Sequence, residues 1–378
     1  MESILSFIQH YALPFIVVIG IVVFVHEFGH YLVARLCGIR VESFSIGFGR
    51  TLFKWTDKRG TVWRIGCLPL GGYVKMFGDA DAASTPDDSV HTMTEDEKKI
   101  SFFHQPVGKR IAVIAAGPAF NYLFAVVALA FLFVGVGQPF SPPLVGALQE
   151  GSAAAQAGIE VGDRFLSIDG TPMRRFEDIK RAVSLNTGSS VTVVVQRDGQ
   201  EKTMVLTPKV VVQKDLLGGA HRLGRIGVLS TAVVYEKRTV PEALYYATVE
   251  TWNISVDTLK AVGQVLIGTR GTEEIGGPLR IAEMSGTMAR EGFWPLVWFL
   301  AVISINLGLI NLFPVPLLDG GHLLFYSIEA VLGRPINETA QEVGFRIGLV
   351  LVLSLMVFAT WNDLVYLQIV SRIKDLFS

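Results

Sequence analysis

Two histidines four residues apart, with a glutamate beside the first, stand at His26-Glu27-Phe28-Gly29-His30. On a helix, positions i and i+4 share a face, so His26 and His30 can each offer a ring nitrogen to one zinc ion while Glu27 reaches a metal-bound water. The chemistry such a set supports is peptide hydrolysis. Zinc brings the pKa of water from about 15.7 toward 7, and the carboxylate takes its proton as the water attacks a carbonyl. The motif closes an uncharged run from Ile4 to Val25, a setting in which ionisable residues are costly and mark function.

A catalytic zinc takes three protein ligands and keeps one position for water. Val33 and Leu36 stand where a metzincin carries Gly and a third His, and no NExxSD-type glutamate signature follows. The strongest remaining candidate is Asp319, in the segment Asn311-Leu-Phe-Pro-Val-Pro-Leu-Leu-Asp-Gly320. A carboxylate at mid-membrane costs roughly 2.5–3.5 kcal/mol, so it needs a cationic partner, which zinc supplies. Pro314 and Pro316 break the helix before it and let the chain bend toward the first apolar run. The alternative is an Asp319 that merely ends a helix at the interface. His322 would be a fourth ligand, the position a catalytic site leaves to water. Asn121 fits an interhelical hydrogen bond better than a substrate contact.

These residues need a membrane scaffold to bring them together. Of 378 residues, 50% are hydrophobic and 18% charged, with a mean hydropathy of +0.44, too apolar for an ordinary soluble domain. A net charge of −1 gives no support to nucleic-acid binding. Cys37 and Cys67 form no Cys-x-x-Cys pair and no disulfide scaffold, and are expected as reduced thiols. Four spans are expected: Ile4 to Val25, Ile111 to Phe140, Phe293 to Leu318, and residues 345–367 with Arg346 and Asp363 near the interfaces. The first lacks the basic start and cleavage site of a signal peptide. Arg35, Arg40, Lys98, Lys99, Lys109 and Arg110 crowd the ends of the first two spans, which places that connecting segment in the cytoplasm and the amino terminus, residues 141–292 and the carboxyl terminus outside.

The fold class is thus a polytopic α-helical membrane protein of four spans, with a β-loop after the first span and an inserted β-rich domain. Residues 1–36 hold the first span and 37–78 the β-loop. In the loop, Phe44, Ile46 and Phe48 alternate with polar residues, the chain turns at Asp57–Gly60, and it resumes at Val62 toward LPLGGYVKM at 68–76. This is either a hairpin folded back into the bilayer face or a small cytoplasmic sheet. Residues 79–104 are expected as a flexible acidic linker, and 105–140 as the second span. In 141–232, strands are expected at Val191–Val195 and Thr203–Leu206. In 233–291, Val249, Trp252, Val256, Leu259, Val262 and Leu266 share one helical face, and Glu250, Asp257 and Lys260 exclude a further span; an amphipathic helix on the outer membrane surface or on the β-rich domain is expected. Residues 292–322 hold the third span, and 323–378 a loop, the fourth span and a tail.

The run from Gly151 to Gly170, with small residues at Ala153–Ala157 and a turn at Gly162-Asp163, resembles a PDZ domain of the kind attached to bacterial proteases, a module that captures a peptide along a sheet edge. The alternative is a spacer that limits access by bulk alone. HEFGH at 26–30, LPLGGYVKM at 68–76, AGPAFN at 116–121 and NLFPVPLLDGGH at 311–322 resemble, in this order, the site-two protease family, and within it the bacterial regulator-of-sigma-E protease group. The resemblance covers nearly the whole chain. It implies intramembrane proteolysis of single-span proteins in the inner membrane, with His26, His30 and Asp319 as Zn2+ ligands and Glu27 as general base. It implies further that Asn311 polarises the scissile carbonyl and that the β-loop around Gly71, Gly72 and Tyr73 presents substrate as an added strand. One PDZ-like unit is visible where enterobacterial relatives have two. The rival function is a catalytically silent scaffold, against which the complete HExxH and LDG stand; a transporter would show an inverted repeat, and none is visible.

Overall fold

The structure is a computed structural model that describes residues 8–80, 87, 90, 92–185, 189–214, 220–230, 234–268 and 276–366. The chain forms two compact units: Met1–Phe131 with Leu244–Leu259 and Thr272–Ser378, and Leu132–Ala243 with Lys260–Gly271. Four helices are long and apolar enough to cross a membrane: Gln9–Leu36, Val107–Gly135, Phe293–Asn311 and Thr339–Val365.

Helix α1 (Leu13–Leu36) follows a π-helical turn at Ile8–Ala12. It runs straight through HEFGH, so the motif lies inside the helix and not at its end. Strands β1 (Val41–Thr56) and β2 (Val62–Met76) form the expected hairpin, which doubles over on itself. Ser43–Ile46 therefore lies between Gly72–Lys75 on one side and Val62–Ile65 on the other. Asp57 fixes the turn, accepting from the Arg59 and Thr61 amides, from the Trp63 indole and from the Tyr31 hydroxyl on α1. Phe44, Val74 and Met76 then pack with Ala34, Val113 and Tyr326 in one buried cluster.

The expected linker is shorter than its composition suggests. Residues 81–86, 88–89 and 91 fall outside the described residues, but α2 (Glu95–Ile100) is a helix with a complete capping box between Thr94 and Glu97. Threonine followed three residues later by glutamate satisfies two orphan amides at a helix start, a signal the acidic composition masked. Helix α3 (Val107–Gly135) begins and ends earlier than the expected second span. Gln138–Phe140 is instead a strand, β3.

The second unit carries β4 (Val145–Leu148), the short helix α4 (Ala153–Gln156), β5 (Arg164–Ile168), β6 (Thr171–Pro172), α5 (Phe176–Leu185), β7 (Val191–Arg197) and β8 (Gln200–Leu206). Four of these strands form a sheet in the order β6-β5-β7-β8, over a core of Phe165, Ile168, Phe176, Ile179 and the alternate valines 191, 193 and 195. After the hairpin of β9 (Lys209–Lys214) and β10 (Ala220–Arg225), β11 (Val228–Ser230) returns to pair with β4, and β12 (Val234–Glu236) pairs with β3.

Five helices complete the described chain. Helix α6 (Val240–Leu266) turns its apolar face outward: Trp252 and Leu266 are 70% and 82% exposed. It packs through Ala247, Thr251 and Ser255, and its hydroxyls bond to mid-span partners, Ser255 to Tyr122 and Thr258 to Asn306. Small residues at i, i+4 spacing let helices approach closely. Helix α7 (Pro278–Glu291) packs Ile281 and Met288 beside Val18 and Val22 of α1. Helix α8 (Phe293–Asn311) stops seven residues short of the expected end of the third span. Leu312–Leu318 is a turn that includes Leu317 at φ +93°, and Asp319 opens a new helix, α9 (Asp319–Leu332). Helix α10 (Glu338–Tyr366) is longer than the expected fourth span. Asp363 on it is buried and accepts the amides of Gly277, Leu279 and Arg280, capping α7 from another helix.

Candidate metal centre and active site

One turn of α1 separates His26 from His30, and both imidazoles are buried. Their Nε2 atoms stand 3.3 Å apart, and Asp319 Oδ2 lies 3.1 Å from the first and 3.4 Å from the second. That oxygen is buried and accepts no hydrogen bond of good geometry from the described residues. Three ligand atoms tetrahedral about zinc, at bond lengths of 2.0–2.1 Å, are separated by about 3.3–3.4 Å. The spacing and the N,N,O donor set therefore fit Zn2+. Among the described residues this is the only such group of three metal-binding side chains.

Each ligand is held by a neighbour. The Nδ1–H of His30 donates to the Val113 carbonyl of α3 at 2.8 Å, which leaves Nε2 free to face Asp319. Gly117, one turn further along α3, permits this approach: a Cβ there would collide with both imidazoles. Asp319 owes its place to the turn after α8 and to a clamp further down α9, where Glu329 accepts a bidentate ion pair from buried Arg110 at the start of α3. The Arg110 guanidinium also lies 4.7 Å over the Tyr326 ring. Val113, Gly117 and Arg110 carry no signal of these roles in the sequence; AGPAFN holds the only trace of the small-residue contact.

Glu27 is half-buried and lines a cavity of about 520 Å³ together with His26, His30 and Asp319. Gly71, Gly72 and Tyr73 of β2, Asn311 at the end of α8, and His322 line the same cavity. All the expected site residues thus meet in one place. Of these β2 residues Gly72 lies against Glu27, since a Cβ there would stand 2.9 Å from Glu27 Cγ and 2.9 Å from a Val23 methyl. Gly72–Val74 pairs with β1 along one edge, and its other edge has no strand partner among the described residues.

Residues 14–355 match the profile of Peptidase family M50. The chain belongs to this family, the site-two proteases. It is 44% identical over 364 residues to a candidate zinc metalloprotease of Agrobacterium fabrum, covering 95% of this chain and 97% of that one. A candidate zinc metalloprotease of Rhizobium meliloti is 42% identical over 97% of this chain and 100% of its own. The metalloprotease MmpA of Caulobacter vibrioides is 35% identical over 96% and 97% of the two chains. A solved PDZ domain from a Listeria monocytogenes SdrC-like protein aligns over 25% of this chain and 94% of its own at 16% identity, with a TM-score of 0.19. Membership of M50 makes the protein a membrane metalloprotease, and among the described residues His26, His30 and Asp319 form a donor group that such an enzyme could use.

Proposed function

We propose that the protein cleaves single-span membrane proteins within the bilayer, with His26, His30 and Asp319 holding Zn2+ and Glu27 as general base. When bound, zinc supplies Lewis-acid chemistry, acidifying water and polarising a peptide carbonyl. Glu27 takes the proton of the attacking water and returns it to the leaving amine. Asn311, across the cavity, donates its amide to the carbonyl oxygen as charge develops there. The observation that carries this reading is the open edge of Gly72–Val74 beside Glu27. An extended substrate added to that edge gains backbone hydrogen bonds and brings its own carbonyls to the centre. Helical substrates must unwind to bind so, which favours segments already trimmed and weakly helical, such as the remnant of an anti-sigma factor or of a signal peptide.

The proposed setting is the bacterial inner membrane, with the loop between the first two spans in the cytoplasm and the PDZ-like unit outside, where it limits access or takes a peptide. Cleavage of a single-span substrate in proteoliposomes, wild type against Glu27→Gln, tests the reading. Loss of the general base should lower the rate by about 10²–10⁴-fold with zinc retained. Equal rates would rule out the assigned chemistry.

A further inference from the structure

Asn121 of α3 is fully buried, one turn beyond Gly117, and its backbone carbonyl accepts the Ser304 hydroxyl of α8 at 3.0 Å. Its side-chain amide faces His26, with Nδ2 3.1 Å from the ring Nδ1, while Oδ1 has no hydrogen-bond partner among the described residues. Were Nδ2 the donor, Nδ1 of His26 would be an acceptor and the ring proton would sit on Nε2. That atom is the one that converges on His30 and Asp319, and a protonated nitrogen cannot be a metal ligand. A half-turn of the amide exchanges Oδ1 and Nδ2 without change of volume. Either orientation makes one hydrogen bond, so the imidazole tautomer decides between them.

We infer that Asn121 is a positioning residue of the metal centre, whose Oδ1 accepts the Nδ1–H of His26 and so directs the Nε2 lone pair at the metal. His26 then has from Asn121 what His30 has from the Val113 carbonyl. Histidine ligands commonly donate their second ring N–H to such an acceptor, which fixes the tautomer and raises ligand basicity. Gly117 and Asn121 thus act together from one face of α3, where the first makes room for the imidazoles and the second orients one of them.

The inference rests on the metal-centre reading above, and its test separates the two. Zinc affinity of the purified full-length protein is measured by chelator competition for wild type, Asn121→Leu, Asn121→Asp and His26→Ala. Asn121→Leu keeps the volume and removes the acceptor, and should weaken zinc about 10- to 100-fold. Asn121→Asp keeps an acceptor and should hold zinc at wild-type strength or tighter. The cobalt-substituted Asp variant should keep the wild-type ligand-field absorption. A purely packing role predicts the opposite order, with Leu near wild type and the buried carboxylate impaired, and that order overturns the inference. If Asn121→Leu does not fold, Asn121→Asp decides alone: zinc at least as tight supports the role, and a tenfold loss overturns it. Wild-type zinc content in His26→Ala would instead overturn the centre itself.

Discussion

Gly72 lies so close to Glu27 that a single methyl group at residue 72 would stand 2.9 Å from Glu27 Cγ and 2.7 Å from the Ser45 carbonyl oxygen. The strand proposed to offer its free edge to substrate is therefore seated on α1, and only a residue without a side chain permits that seat. Gly72→Ala should displace either the strand or Glu27. Because a shift of about 1 Å costs on the order of 100-fold in rate, single-turnover cleavage should fall by about that factor with zinc content unchanged. Wild-type turnover in this variant would show that the strand is not held against Glu27 during reaction.

Metal content gives the second test. The purified protein should hold about one zinc per chain, and elemental analysis of His26→Ala and Asp319→Ala should show most of it lost. Unchanged zinc in both variants would remove the proposed ligand set. Arg110→Ala should act more mildly. It leaves Glu329 buried without its partner and loosens α9, so zinc should dissociate faster while the ligands themselves remain.

The two histidines, Glu27 and Asp319 were legible because each belongs to a short motif whose spacing follows from helix geometry or from a proline break. What supports them was not legible. The Val113 carbonyl is a backbone group that any residue could supply, and the Arg110–Glu329 pair joins positions 219 apart in sequence. The apolar face of α6 was legible in its three-and-four spacing, whereas the small-residue contact through Ala247, Thr251 and Ser255 was not. That Asp363 caps α7 was not legible either, because the three amides its carboxylate accepts lie more than 80 residues away in sequence.

Orientation is a separate prediction. If basic residues hold the first connecting segment in the cytoplasm, Cys67, which is exposed, should react with an impermeant thiol reagent from the cytoplasmic face only. A reporter fused after residue 200 should be active outside. A cytoplasmic reading there would invert the topology and place the β-rich unit inside the cell.

Acid should loosen the β-rich unit through Asp163. Burial raises the pKa of its carboxyl, but the Arg197 guanidinium at 2.7 Å and the Glu160 amide at 2.9 Å outweigh it and hold the carboxyl below the usual carboxylate range. A depressed folded-state pKa contributes stability that is present above the unfolded value, near 3.9, and lost as pH falls through the folded one. Amide protection of β5 and β7 should therefore drop below about pH 4 in wild type. Asn at 163 cannot titrate, so Asp163→Asn should show lower protection at neutral pH and a weaker acid dependence. An unchanged acid profile would assign the effect to other carboxylates.

The last prediction separates gating from chemistry. No described residue of the β-rich unit is among the metal ligands or the cavity lining, so its removal should spare the centre. Strand pairing decides where to cut. Deleting residues 142–210 would strand β11, whose only partner among the described residues is β4. The self-contained piece is residues 141–233, because Phe140 and Val234 are paired neighbours in β3 and β12 and a short flexible linker can join them. In proteoliposomes this excision should keep zinc and cleave a pre-shortened single-span substrate at near the wild-type rate. A substrate that keeps a bulky external domain should be cleaved as fast or faster, since a barrier has been removed. If zinc and insertion persist but the short substrate is no longer cut, the unit positions substrate by binding it, and bulk exclusion is not its function.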